Sequence, residues 1–236
     1  MEKFICYNKG MEYEKYLDEI KNKRSDKFGV FGQMLVTHNK VCNLTSICDE
    51  EGVIYKHFLD SVVGESLFMG GANVVEIGSG GGFPSIPLKI LREDLSFTLI
   101  ESTGKKCNFL NEVVDKLKLD RVNVLNIRAE DGAHDKELRE KFDVACARAV
   151  AQLNTLAEYC MPFVRVGGLF IAYKGAAQEE IKNAENAVKV LGGEIEKVIE
   201  YELPECGRRT LISIRKVKST PLLYPRGQGR ERKNPL

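Results

Sequence analysis

Three alternate glycines and a carboxylate further along the chain are the residues best suited to chemistry. In Val74-Val75-Glu76-Ile77-Gly78-Ser79-Gly80-Gly81-Gly82-Phe83-Pro84 an apolar run ends in an acidic residue two positions before Gly78, and glycine recurs at 80 and 82. This reads as a strand feeding a tight loop and then a helix, where glycine lets the backbone turn and a ligand press against it. Phe97-Thr98-Leu99-Ile100-Glu101 is a second apolar strand ending in a carboxylate, 23 residues after Gly78. A carboxylate about 20 residues past such a loop can hold both hydroxyls of a ribose. Together they predict a site for a nucleoside-containing cofactor.

The spacing narrows the choice of cofactor. The dinucleotide pattern G-x-G-x-x-G/A needs a small third residue, and Phe83 stands there. No G-x-x-x-x-G-K-[ST] occurs, so the loop is not a Walker A phosphate cradle. Glu76 repels a pyrophosphate but attracts the cationic amino end of S-adenosylmethionine, directly or through water.

Further candidates surround this pair. Arg148 ends an apolar run, Ala145-Cys146-Ala147-Arg148. At a strand mouth its planar fork either orients a base or phosphate or pairs with a nearby acid. Glu130 in Arg128-Ala129-Glu130 either accepts from an adenine amino group or caps the next helix. His57 and Asp60 lie three apart on one helix face, as an acid–base pair or as a polar contact between helix and sheet; the contact is the favoured reading. Asn39, Asn43 and Thr45 read as turn and cap residues. Cys146 sits inside an apolar strand pattern, which argues for burial and against a pyrimidine-attacking nucleophile. The Asp/Asn-Pro-Pro-Tyr/Phe loop that embraces an exocyclic amine is absent. A methyl acceptor that needs no deprotonation, such as guanine N7, fits what remains, with catalysis resting on alignment.

The elements that must position these residues alternate regularly. Strands are predicted at 73–77, 95–101, 122–127, 142–147 and 168–173, and helices near 86–92, 105–118, 131–140, 151–161 and 178–191. Two further strands, 197–203 and 209–216, are expected as an antiparallel hairpin. This is a doubly wound α/β sheet whose ligands bind at the carboxyl ends of the strands. Residues 1–70 read as helical, with apolar spacing at 11–21, 31–41 and 53–68, before Gly70-Gly71 breaks the pattern. The expected division is a helical extension, 1–70, and a sheet domain, 71–236.

The chain has 236 residues, 43% of them hydrophobic, enough for a core. No 18-residue apolar run is present, and no signal-peptide pattern opens the chain. Seven cysteines, none in C-x-x-C, and three histidines show no metal spacing, so reduced thiols in a cytoplasmic protein without metal are expected. The net charge of +1 is uneven: residues 206–236 carry +8, 73–205 carry −5 and 1–72 carry −2. A basic end on a neutral chain points to an anionic partner. Arg226, Arg230, Arg232 and Lys233 are the expected contacts to that anionic partner.

Several motifs occur together and in order. They are Asn39-Lys40-Val41-Cys42-Asn43-Leu44-Thr45, His57-Phe58-Leu59-Asp60-Ser61, the loop 78–84, Lys105-Lys106, Arg128-Ala129-Glu130, Arg148-Ala149-Val150, Lys174-Gly175, Tyr224-Pro225-Arg226 and Lys233-Asn234-Pro235-Leu236. Over residues 30–236 the chain resembles the RsmG (GidB) family of bacterial 16S ribosomal RNA guanine-N7 methyltransferases. The resemblance implies a Rossmann-like, seven-stranded methyltransferase fold using S-adenosylmethionine, acting on 16S RNA or the small-subunit particle as a monomer. It implies cofactor contacts at Gly78, Phe83, Ala129, Glu130 and Arg148, with Glu101, Ser102 and Thr103 beside the ribose and adenine. Arg148 then positions the base or cofactor, and no general base is required. Two positions depart from the family pattern: His38 where Trp is usual, and Ser85 where Gly is usual. The alternatives are a nucleotide-binding oxidoreductase, against which Phe83 argues, and a cofactor-binding module without catalysis.

Overall fold

The computed structural model describes residues 5–7, 13–47, 49–148, 150–204 and 206–236. Seven strands fall where the apolar runs predict them: β2 (Asn73–Ile77), β3 (Ser96–Ile100), β4 (Val122–Leu125), β5 (Phe142–Arg148), β6 (Val164–Lys174), β7 (Gly193–Leu203) and β8 (Gly207–Lys216). An eighth, β1 (Ile5–Tyr7), joins them, and the sheet order is β1-β7-β8-β6-β5-β2-β3-β4. β8 is antiparallel to both β6 and β7, and the remaining pairings are parallel. The expected hairpin is therefore present, with β8 inserted between β6 and β7.

β1 corrects the reading of the first 70 residues as wholly helical. β7 would otherwise end the sheet with unpaired N–H and C=O groups, and Ile5–Tyr7 pairs with them in register with Val198–Glu200. The expected helix 11–21 begins at Glu14 among the described residues, and residues 11 and 12 lie outside them. The expected helix 131–140 shrinks to Ala129–Gly132, followed by turns. Its second half carries few apolar side chains, and Arg139 instead donates to the carbonyls of Ala133, Tyr224 and Thr220.

The strand alternation divides the core in two. On one face Val74, Leu99, Val144, Cys146 and Ile171 meet Phe28, Phe31, Leu35, Phe58 and Leu59 from the N-terminal helices. On the other, Val75, Ala145, Ala147, Phe170 and Ile212 meet the helices Leu153–Cys160 and Gln178–Val190. The N-terminal helices thus bury one face of the sheet and bring helical residues 50–62 to the carboxyl end of β5. No helix among the described residues is long and apolar enough to cross a membrane.

Candidate active site

The glycine loop is shaped by contacts that a larger residue would break. Gly78 has φ +70°, and a Cβ there would stand 2.9 Å from Val150 Cγ2. Gly82 has φ +86°, and a Cβ there would stand 2.6 Å from Ile86 Cγ1. The loop is tied to the end of β3: Gly78 N–H donates to Ile100 O at 2.8 Å, and Gly80 N–H to Glu101 Oε2 at 3.0 Å. Glu101 Oε1 accepts from Thr103 N–H at 2.8 Å. Each carboxylate oxygen keeps a further lone pair for a ligand hydroxyl.

At the carboxyl ends of β2, β3 and β4 lies a cleft of about 740 Å³. Gly78, Ser102, Ala129 and Glu130 line it together with Ile127 and Val150. Glu130 stands in the first turn of Ala129–Gly132, makes no capping hydrogen bond there among the described residues, and lines the cleft. Glu101, Thr103, Phe83 and Arg148 lie outside the lining. Glu76 is fully buried under the loop, and its Oε1 and the Ser85 hydroxyl have no hydrogen-bond partner among the described residues. Burial raises the Glu76 carboxyl to about 8.

Arg148 and Phe83 belong to a polar junction beside this cleft. The Phe83 ring is 6% exposed and stacks on His57 at 4.4 Å. The Arg148 guanidinium lies over the same ring, 4.9 Å from its centroid. It donates to Lys56 O at 3.1 Å and Asp60 Oδ2 at 3.1 Å, and its Nη2 meets His57 Nδ1 at 2.9 Å. The fork therefore serves helical residues 50–62, the ion-pair alternative of the two, with Asp60 as the acid. Thr45 Oγ1 meets His57 Nε2 at 2.7 Å, and Asn39 fixes Thr45 through both backbone groups. Tyr201 donates to Asp60 Oδ1 at 3.0 Å. Burial first, and then Arg148, lower His57 to about 3. A neutral imidazole engaged at both nitrogens is a poor proton carrier near pH 7. Cys146 is fully buried, and burial raises its thiol well above the ordinary range.

The basic C-terminal segment is not a solvated tail. Arg226 is bidentate to Glu158, with Nη2–Oε2 at 2.7 Å and Nε–Oε1 at 3.0 Å. Glu158 is fully buried, so Arg226 is not free for phosphate. Arg232 donates to the Tyr159 hydroxyl at 3.2 Å and lies in the cleft lining, as does Arg226. Arg230, Arg232 and Lys233 are exposed. Neither Glu158 nor Glu231 stood out in the sequence. The only signal was the apolar spacing around Glu158, which puts a charge on a buried helix face.

Solved structures share this architecture. A Bacillus cereus O-methyltransferase in complex with SAH aligns with a TM-score of 0.56 at 17% identity, covering 79% of this chain and 91% of that one. M. jannaschii TYW2 in complex with AdoMet aligns with a TM-score of 0.56 at 15% identity, covering 73% and 80%. The fold is therefore the Rossmann-like one of these S-adenosylmethionine- and S-adenosylhomocysteine-bound structures. The family described as rRNA small subunit methyltransferase G matches residues 24–211. The Ribosomal RNA small subunit methyltransferase G of Lactobacillus johnsonii is 45% identical over 231 residues, covering 95% of this chain and 97% of the relative. That of Acetivibrio thermocellus is 42% identical over 219 residues, covering 92% and 90%. This chain belongs to the rRNA small subunit methyltransferase G family.

Proposed function

We propose that this protein transfers a methyl group from S-adenosylmethionine to the N7 atom of a guanine in small-subunit ribosomal RNA, acting in the cytoplasm as a monomer. The observation that carries this reading is the cleft itself, lined by Gly78, Ser102, Ala129 and Glu130 at the carboxyl ends of adjacent parallel strands. Residues 1–70 then act as an extension whose helices wall the methyltransferase domain, 71–236, on the side of Phe83.

The residues present fit the cofactor. The space over Gly78 would be filled by a Cβ. Glu101, held by two backbone N–H groups, is assigned to accept from the ribose hydroxyls. Ser102, Thr103, Ala129 and Glu130 are assigned to the adenine side. The orphaned Oε1 of Glu76 beneath the loop suits a cationic amino group, directly or through water. When bound, S-adenosylmethionine supplies a methyl group made electrophilic by its sulfonium.

The chain supplies placement. Guanine N7 offers an in-plane lone pair and loses no proton on methylation, so no side chain has to act as a base. His57, neutral and tied to Arg148 and Thr45, is assigned a positioning role. Arg148 is assigned to base or cofactor placement through Phe83, His57 and the strand end it caps. Arg230, Arg232 and Lys233 are assigned to RNA phosphates, and Arg226 to holding its own segment. Calorimetry tests the cofactor half: S-adenosylmethionine and S-adenosylhomocysteine should bind and NAD should not. Tight NAD binding without sulfonium binding would overturn the reading in favour of an oxidoreductase.

A further inference from the structure

The segment after β8 closes one side of the cofactor cleft, and no motif of the glycine loop marks it. Pro225, Gln228, Gly229 and Arg232 line the same cleft as Gly78 and Glu130. Four scaffold side chains hold this segment down. Arg139 donates to the carbonyls of Thr220, Pro221 and Tyr224. His134 Nε2 stands 2.9 Å from Pro225 O. Glu158 receives both the Arg226 fork and the Arg226 backbone N–H, the latter at 2.8 Å. Tyr159 donates its hydroxyl to Glu231 Oε1 at 2.7 Å.

Two of these groups are carboxylates with no exposure, Glu158 and Glu231. Removing a carboxylate from water is unfavourable unless it is paired and hydrogen-bonded. A tail that only neutralises phosphates requires no such anchoring. Arg232 completes the arrangement: it is held by Tyr159 and lies within electrostatic reach of Glu130, on the facing side of the cleft.

We propose that residues 225–232 form a wall of the cofactor site over its nucleoside end, with Glu158 and Arg226 as positioning residues that fix that wall. The nucleoside end is assigned because this wall faces Ser102 and Ala129-Glu130. The proposal rests on the reading of this cleft as the S-adenosylmethionine site. It makes the basic segment a part of two sites, with Arg226 facing inward and Arg230 and Lys233 facing outward.

Hydrogen exchange on the full-length wild-type chain, with and without S-adenosylhomocysteine, tests it without any substitution. Amides in 225–232 should gain protection together with those in 78–83. Protection at 78–83 with none at 225–232 overturns the proposal. The double variant Glu158→Gln/Arg226→Gln removes the charge pair without burying a lone charge. Its dissociation constant for S-adenosylhomocysteine should rise about tenfold or more, the equivalent of one charge-assisted hydrogen bond. An unchanged constant in a folded double variant overturns the proposal, and if that variant does not fold, the wild-type exchange decides. A wild-type chain that binds no S-adenosylhomocysteine defeats the functional reading first, an outcome distinct from either of these.

Discussion

Replacing Arg148 by alanine removes a side chain that joins helical residues 50–62 to the end of β5. The guanidinium is 13% exposed and its partner Asp60 is 7% exposed. After the substitution Asp60 keeps the Tyr201 hydroxyl at 3.0 Å and Arg209 at 3.6 Å. Breaking a buried pair by deleting one partner costs about 3–5 kcal/mol. The remaining partners of Asp60 place the pair at the lower end, about 3 kcal/mol. Loss of the guanidinium from the Phe83 ring adds about 0.5–2 kcal/mol. A total of about 3.5–5 kcal/mol corresponds to a fall in Tm of roughly 7–20 °C for a chain of this size. Urea unfolding at pH 7 measures it, with the slope m checked for constancy. In the fraction that stays folded, single-turnover methyl transfer should also fall, because His57 and Phe83 lose their clamp. His57→Ala should retain measurable transfer, since an imidazole at about 3 carries no proton near neutrality. A folded Arg148→Ala within about 1 kcal/mol of wild type, or one with full activity while His57→Ala has none, refutes the reasoning.

Glu76→Gln should change the pH dependence of stability. The folded carboxyl titrates at about 8 against an ordinary 4.5, so the folded state retains a proton that the unfolded chain releases. Stability from this group therefore falls as pH rises from about 4.5 to 8, at up to about 1.4 kcal/mol per pH unit. The variant should gain on wild type across that window, and parallel curves of unfolding free energy against pH would count against it. Gly78→Val should abolish S-adenosylhomocysteine binding in calorimetry, because φ +70° and Val150 at 2.9 Å leave no place for a branched side chain; wild-type affinity would contradict this. Arg230→Ala/Lys233→Ala should weaken RNA binding and flatten its salt dependence by up to about 1.4–1.8 in the logarithmic slope, two phosphates at most. An unchanged slope would remove these residues from the RNA contact.

The centre of the sheet was legible because β2, β5 and the second half of β6 are buried on both faces and so read as apolar runs. β2 matches its predicted bounds, 73–77, and the glycine loop follows where the strand stops. β1 was not legible: three residues carry no periodicity, and their partner β7 is remote in sequence. The convergence of Gly78, Ser102, Ala129 and Glu130 on one cleft was legible, because the fold dictates which strand ends converge. The junction of Arg148 with His57 and Asp60 was half legible. Their spacing along the helix showed a shared face, but only tertiary packing brings Arg148 to it. The C-terminal segment was read from charge alone, and charge counting cannot see Glu158 and Glu231 beneath it. That is why Arg226 was grouped with the RNA contacts although its fork is bound within the protein.

The central claim is methyl transfer to guanine N7 in small-subunit RNA. Its most direct test is incubation of the protein with isotopically labelled S-adenosylmethionine and unmodified 16S RNA, free and in small-subunit particles. The RNA is then digested and each labelled nucleoside identified and mapped by mass spectrometry. The account predicts a single labelled guanosine carrying its methyl on N7, with free RNA and particle compared as substrates. Label on another atom or base, or none on either substrate while the cofactor binds, would contradict it.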